Sequence, residues 1–142
     1  MILFGCANQK TSIGTQGLIG EVRWVEGNLM PTIGDTTYVE RAKGIPIERE
    51  IYIFKAIKID EAISAGGSFY KSVNAELVLR LKSNKNGIFK ANLSVGKYSI
   101  FILEKDGYFA NTFDGDNYIS PVTIHANKTT EIQILVNYQA YY

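Results

Sequence analysis

Few side chains in this sequence of 142 residues are suited to catalysis or to metal binding. Cysteine and histidine each occur once, as Cys6 and His125. Zinc sites need several such ligands close together, so this composition excludes most of them. His125 follows an apolar segment, and no spacing gives it a nucleophile or an acid as partner, which indicates a surface histidine at a strand end. We therefore expect no enzyme activity, no metal centre and no cofactor.

One loop has oxygen atoms that could bind calcium. Asp114-Gly115-Asp116-Asn117 places its side-chain oxygen ligands at alternate positions, as calcium loops do. The longer loop with its distal bidentate glutamate is missing, and Asp-Gly-Asp-Asn is also ordinary turn chemistry. The pattern favours a turn and leaves calcium binding open.

The segment around the single cysteine has the order of a bacterial lipoprotein signal. Leu3-Phe4-Gly5-Cys6 consists of two apolar residues, a small residue and a cysteine. In such signals the thiol is acylated and the chain is cut before the cysteine, so that several acyl chains anchor the protein. Ala7 to Gln16 is polar and without periodicity, as a flexible tether would be. We predict a truncated signal remnant and tether over residues 1–16, with membrane lipid as the partner of acylated Cys6.

The apolar region after Met1 is shorter than the roughly 7–15 residues of a secretory signal. Either the true start lies upstream, or the order of residues is accidental and Cys6 is a partly buried free thiol. With the first alternative, the chain is an outer membrane lipoprotein of the bacterial cell envelope, facing the periplasm or the cell surface.

Composition limits the other partners. Hydrophobic residues make up 46% of the chain and charged residues 20%, which is typical of a globular domain. Fifteen Lys and Arg residues against fourteen Asp and Glu residues give a net charge of +1, without a basic run, so we expect no nucleic-acid binding. No apolar run approaches the roughly 20 residues of a membrane-spanning helix.

Alternating apolar residues predict strands through residues 17–142. Glu48 to Ile59 has Ile51, Ile53, Ile57 and Ile59 on one side, and Lys97 to Glu104 has apolar residues on both sides, which indicates a central strand. Asn86-Gly87 predicts a hairpin with a type I′ turn, and Pro121 predicts an edge strand or a bulge. Seven or eight short strands predict an all-β fold, a single antiparallel β-sandwich.

A fixed order of glycine, aromatic and aliphatic residues supports this fold. The members of the pattern are Gly87, Phe89, Leu93, Gly96 and Tyr98. This order resembles the signature of carboxypeptidase regulatory-like domains, which have the transthyretin-like (prealbumin-like) β-sandwich fold. The resemblance spans roughly Gly17 to Val136, and small lipoproteins of gram-negative bacteria often carry this arrangement. It implies a non-catalytic supporting role and no particular ligand.

Transthyretin-like folds include one class of enzymes, the hydroxyisourate hydrolases. These enzymes use several histidines and an arginine, and they end in Tyr-Arg-Gly-Ser. This chain has His125 alone and ends in Tyr138-Gln139-Ala140-Tyr141-Tyr142. The resemblance therefore does not extend to that activity.

A binding surface is the remaining candidate for function. Exposed tyrosine and tryptophan rings stack on sugars, and Tyr138, Tyr141 and Tyr142 are the candidate exposed rings, or else a short aromatic cap on the last strand. The loops Thr32 to Pro46 and Gly66 to Ser72 would carry the contact. We expect a membrane-anchored binding or structural accessory module with a protein or polymer partner. The alternative is a carbohydrate-binding or carbohydrate-active protein with a loop-built site.

Overall fold

Eleven strands and two short helices make up the fold of residues 16–142, the part of the chain that the computed structural model describes. In chain order they are β1 (Gly17–Asn28), α1 (Tyr38–Lys43), β2 (Ile45–Pro46), β3 (Glu50–Lys55), a 3-10 helix (Ile59–Glu61), β4 (Ala62–Gly66), β5 (Phe69–Val73), β6 (Leu77–Lys82), β7 (Ile88–Ala91), β8 (Gly96–Glu104), β9 (Gly107–Phe109), β10 (Pro121–Ile124) and β11 (Thr129–Tyr141). No helix among these residues is long and apolar enough to span a bilayer.

The strands form two sheets, so the predicted all-β sandwich is confirmed. In the first sheet, β1 lies between β11 on one side and β7 and β2 on the other. The second sheet has the order β4-β5-β9-β8-β3-β6, and β10 also pairs with β8. There are more strands than the seven or eight expected. The two residues of β2 are too few to show an alternating pattern, and β4 and β5 form a hairpin in a region where a contact loop was expected.

The first and last strands of the sheet run in the same direction. Gly17 lies opposite Thr129 and Trp24 lies opposite Val136, in a parallel register with an irregularity after Trp24. The expectation of purely antiparallel pairing is therefore wrong for this pair, whose members are joined through the whole domain and not by a hairpin. As a result, β1 and β11 finish at the same end of the sandwich.

The main core lies between the sheets. It contains Phe89, Leu93 and Tyr98 of the glycine-aromatic pattern, each at most 6% exposed. Gly20 provides the space for the Phe89 ring, since a Cβ at this position would overlap the ring carbons. Trp24 packs against the margin of this core as a partly buried side chain.

A second apolar cluster covers the other face of the second sheet. Its buried members are Ile57, Tyr70, Phe101, Ala110 and Ile119. The predicted Ile51-Ile53-Ile57-Ile59 face is wrong beyond Ile53, because β3 ends at Lys55 and the chain then crosses to this opposite face. Ile59 is 46% exposed. In contrast, β8 contributes side chains to both clusters, which confirms it as a central strand.

The Asn86-Gly87 turn does not close a hairpin. Its flanking strands belong to different sheets, since β6 pairs with β3 and β7 pairs with β1. Gly87 has a positive φ of 77° and its N–H donates to the carbonyl of Asn84 over 2.8 Å, whereas φ is not positive at Asn86. The predicted type I′ turn is therefore wrong, because that turn needs positive φ at both central residues.

The edge position predicted from Pro121 is confirmed. Pro121 is the first residue of β10, and among the described strands β10 pairs with β8 alone.

Candidate functional site

The segment between β1 and β3 carries a group of exposed apolar side chains. Their exposed fractions are 51% for Met30, 107% for Ile33, 62% for Val39 and 60% for Ile45. Clustered apolar exposure on a soluble domain marks surfaces that bind other molecules. We call these four residues, together with Tyr141, the apolar tip.

Arg41 on α1 holds the segment in one conformation. Its guanidinium nitrogens bind both carboxylate oxygens of Asp35, at 2.8 and 3.2 Å, and one of them also donates to the carbonyl of Asn28 over 3.2 Å. The Asp35 carboxylate also accepts the N–H and the hydroxyl of Thr37, each over 2.9 Å. These hydrogen bonds, from Arg41 first, hold the pKa of Asp35 well below its usual range. The bidentate geometry favours one fixed arrangement of the loop.

Arg23 on β1 holds the other end of the segment. Its Nε donates to the carbonyl of Lys43 over 2.7 Å, and its Nη2 donates to that of Gly44 over 2.8 Å. The remaining nitrogen pairs with Glu21 at 2.8 Å. The carbonyl groups that α1 leaves without intrahelical partners thus bind a cation. Both ends of the segment are therefore fixed to β1, and its apolar side chains are presented from an ordered backbone.

The end of the chain lies beside this segment. The N–H of Leu29 donates to the carbonyl of Tyr141 over 2.6 Å, and Asn28 lies opposite Tyr141 in the register of β1 and β11. Tyr141 is 65% exposed and Tyr142 is 67% exposed. The structure therefore brings two of the sequence-predicted contact regions, the 32–46 segment and the tyrosine tail, to the same end of the sandwich.

Tyr138 has a different environment from the other two tyrosines. Its ring packs against Trp24, Phe69 and Phe109, with centroid distances of 5.3, 4.9 and 5.6 Å. Its hydroxyl donates to Glu104, whose side chain is 4% exposed and also binds Arg49 at 2.8 Å. Burial, and then the hydrogen bond to Glu104, raise the pKa of Tyr138 to about 12. The expectation of an exposed ring is wrong for Tyr138, which faces the core.

Two further positions that the sequence singled out are His125 and the Asp114 loop. His125 is exposed directly after β10, as expected for a strand end. The Asp114 carboxylate binds Lys97 at 2.7 Å and accepts the N–H groups of Asp116 and Tyr118, so its oxygens serve the turn. No group of three or more metal-ligating side chains occurs in the described part of the chain.

Two predictions remain, one for the segment Gly66 to Ser72 and one for Cys6. Gly66 to Ser72, expected as a contact loop, forms most of the β4–β5 hairpin, and its Phe69 packs on Tyr138. Cys6 lies outside the described residues, so its acylation stays a prediction.

Sequence reasoning missed the apolar side chains of the tip and the role of Arg41. The available signal was a set of isolated apolar residues in a segment rich in glycine, threonine and aspartate. Such residues have no periodicity that would bury them. An aspartate six residues before an arginine was a further, weak indication of a loop closed by an ion pair.

The chemistry of this end of the molecule is that of recognition. The segment and the part of β1 bound to it contain exposed apolar side chains and three ion pairs: Asp35 with Arg41, Glu21 with Arg23 and Glu40 with Lys43. Among the described residues, no buried side-chain nitrogen or oxygen lacks a hydrogen-bond partner. Exposed apolar side chains together with internally paired charges are common in protein interfaces.

Comparisons with known proteins add little to this geometry. No protein-family model matches the chain, and no curated protein matches it. Among solved structures, a crystal structure of (S)-allantoin synthase is similar over 87% of this chain, with a TM-score of 0.37 and 12% sequence identity. The chain spans 41% of the length of that structure. At this level of similarity, the comparison carries no functional argument.

Proposed function

We propose that this chain is a non-catalytic accessory module that is anchored in the bacterial outer membrane through acylated Cys6 and binds a protein partner through the apolar tip. The observation that carries the proposal is the position of the tip. It lies at the far end of β1 from Gly17, where the tether enters the sandwich.

The direction of β1 supports opposite positions for the proposed anchor and the tip. This strand has 12 residues, so it separates its two ends by about 36 Å at roughly 3.3 Å per residue. At its start, the side chain of Gln16 bonds to the carbonyl of Leu93 over 3.0 Å and to the N–H of Asn127 over 3.3 Å. These contacts fix the point at which the tether leaves the domain. A membrane on that side would leave the tip directed away from the lipid.

The buried pattern residues support a carboxypeptidase regulatory-like domain with the transthyretin-like arrangement. Phe89, Leu93 and Tyr98 all pack in the main core, as that signature requires. A domain whose characteristic residues are used for packing fits a supporting role, in which a stable sandwich presents its loops to a partner.

The charges around the tip favour a protein over a charged polymer. Each ion pair of the segment is satisfied within the chain, which leaves apolar area as the main contribution to binding. The preformed Arg41 network lowers the entropy lost on association, because the loop needs no further ordering.

Photo-crosslinking in intact cells tests this function. A photoreactive amino acid replaces Ile33, and in a matched variant it replaces Val95, which is 59% exposed next to the anchor end. We expect a discrete protein adduct from position 33 and none from position 95. Equal adducts from both positions, or none from either, would contradict the proposal. Palmitate incorporation that is unchanged in a Cys6→Ser variant would contradict the anchor.

A carbohydrate partner is the second candidate, because Tyr141 of the tip and Tyr142, the next residue, are both exposed. Exposed aromatic rings stack on sugar faces. Glycan-array binding that is lost in Tyr141→Ala and Tyr142→Ala, with crosslinking at position 33 absent, would favour it over a protein partner.

A further inference from the structure

The edges of the two sheets are not equally protected against pairing with another strand. The edge strand β10 has only four residues and begins with Pro121. In the second sheet, the edge strand β6 carries Arg80 and Lys82, and β4 has two irregularities of register. On one side of the first sheet, β7 and β2 have only four and two residues. Charges, irregular register and short length are the common means of preventing edge-to-edge association.

The remaining edge, β11, is protected less, because its pairing with β1 is regular from Thr129 to Val136 and irregular only beyond Val136. It is the longest strand, with 13 residues, and Glu131 is its single charged residue. It contains no proline, and within residues 16–142 it pairs with β1 alone. A long, nearly uncharged edge strand is a template for pairing with another extended chain.

A groove follows this unprotected edge. It has a volume of about 340 Å³ and lies between β11 on one side and β10 with residues 110–112 on the other. Its floor includes Ile100, Phe109 and Val122, each at most 6% exposed. Ile132 and Ile134 of β11 form the opposite wall and are only half-buried. The main core is therefore incompletely covered along this side.

Two hydrogen bonds between side chains and the facing strand or loop mark the ends of the groove. Thr130 donates its hydroxyl to the carbonyl of Thr123 over 3.0 Å. At the other end, Nδ2 of Asn111 donates to Oδ1 of Asn137 over 2.7 Å. Between Thr130 and Asn137, β11 extends for about 23 Å, enough for an added strand of roughly six residues.

The groove is neutral. None of the residues that line it, all within the described part of the chain, carries a charged side chain. Polar groups at its rim are hydroxyls and amides, from Thr112, Ser120, Gln133 and Asn111. A charged occupant would lose hydration without gaining a partner of opposite charge, so the complementary occupant is uncharged.

We infer that the edge of β11 binds an extended, uncharged segment of another polypeptide by strand addition, with alternate apolar side chains of that segment filling the groove. Four consecutive residues, 132–135, line the groove, so an occupant follows the backbone edge continuously. Half of the N–H and C=O groups of an edge strand face outward, and an added strand satisfies them. This site is separate from the apolar tip and does not depend on the proposed function.

A second copy of β11 does not meet the same requirement. The apolar side chains on its inward side, Ile132, Ile134 and Val136, already pack in the core of their own chain. They are therefore not available to fill the groove of a neighbour. An incoming segment of another protein has free apolar side chains, which are available to fill the groove.

A synthetic peptide tests the inference on the full chain. The probe is an acetylated and amidated hexapeptide, Thr-Val-Thr-Val-Thr-Val, and its control has N-methyl groups on the alternate residues that would donate to β11. We expect the control to bind at least about tenfold more weakly, since it keeps the side chains and loses the backbone donors. We also expect hydrogen exchange of the amides in residues 132–137 to slow by at least about fivefold in the presence of the unmethylated probe.

Two variants locate the site. Ile134→Lys puts a charge into the groove and should abolish binding of the probe. Leu77→Lys changes an exposed residue of β6, an edge strand of the second sheet, and should leave binding of the probe unchanged. If Ile134→Lys does not fold, the comparison of the two peptides on the unaltered chain still decides whether the edge of β11 binds an added strand.

Three results would overturn the inference. They are equal binding of both peptides, no binding of the probe at about 1 mM, and strong protection of the β11 amides in the chain alone. The last result would show that the edge is already occupied, and sedimentation velocity would then reveal whether a second copy occupies it.

Discussion

The hydroxyl of Tyr138 donates a hydrogen bond to Oε1 of Glu104 over 2.7 Å and so joins the two sheets of the sandwich. Tyr138 belongs to β11 in the first sheet, and Glu104 ends β8 in the second. Oε2 of the same carboxylate binds Arg49 at 2.8 Å, and the Arg49 guanidinium lies 5.6 Å from the Trp24 ring centroid. A carboxylate that is almost completely buried thus has both oxygens satisfied.

Removing the Tyr138 hydroxyl should destabilise the domain. Tyr138→Phe leaves a buried carboxylate oxygen without its donor, and hydrogen bonds to charged groups contribute about 1.5–3 kcal/mol. We expect the free energy of unfolding in urea to fall by about that amount. The control is Tyr142→Phe, whose exposed hydroxyl accepts from Asn137, and it should change stability by less than about 0.5 kcal/mol. Equal effects of the two variants would contradict a structural role for the Tyr138–Glu104 bond.

The same bond predicts a loss of stability at high pH. The pKa of Tyr138 in the folded chain is about 12, above its usual value of 10.0, because of burial and the bond to Glu104. The contribution of a raised pKa is fully present below the unfolded value and is lost as the pH rises through the folded value. We expect the stability difference between the unaltered chain and Tyr138→Phe to shrink between these two pKa values. Urea unfolding of both proteins at a series of pH values measures this stability difference. A difference that stays constant would contradict the raised pKa of Tyr138.

Gly20 should tolerate no side chain. Its φ lies outside the left-handed region, so the constraint is the Phe89 ring, which occupies the position of a Cβ. Gly20→Ala forces Phe89 or β1 to move, and overpacking of this kind costs about 1–3 kcal/mol. Gly115→Ala is the matched control, because nothing lies within 4 Å of a Cβ there. Thermal unfolding of both variants tests the prediction. Equal unfolding midpoints for Gly20→Ala and Gly115→Ala would contradict it.

The tip segment should lose its order when Asp35 is neutralised. Its carboxylate has a pKa held well below the usual 3.8 by Arg41 and Thr37. For a lowered pKa, the stabilisation is present above the unfolded pKa and is lost as the pH falls through the folded value. We expect Asp35→Asn at neutral pH to accelerate amide exchange at Thr37 and Arg41, whose N–H groups bond within the segment.

Exchange at β8 amides serves as the internal reference for that experiment, because β8 lies in the core, whereas the hydrogen bonds of the Asp35 carboxylate go to Thr37 and Arg41. Acceleration at both places would indicate global destabilisation and not a local effect. Unchanged exchange at Thr37 would contradict the role of Asp35.

Local patterns in the chain were sufficient to predict the inward faces of several strands. Phe89, Leu93 and Tyr98 are buried as their spacing indicates, and β8 has apolar residues on both sides because it packs on both sides. Alternation is a property of one strand and its two faces, so it can be read from the order of residues. The tyrosine tail follows the same alternation, since Tyr138 continues the inward series of Ile132, Ile134 and Val136, whereas Tyr141 has the opposite parity and is exposed.

By itself, the sequence determined an all-β sandwich, its central strand and the absence of a recognisable catalytic motif. Tertiary structure decided which strands pair, because β1 and β11 meet across more than a hundred residues and no local signal specifies a partner at that distance. It also decided that the Asn86-Gly87 turn joins two sheets, that the 29–46 segment meets the end of the chain, and that β11 is left with an open edge. Each of these depends on contacts between residues that are distant in sequence, and such contacts form only when the whole core is assembled.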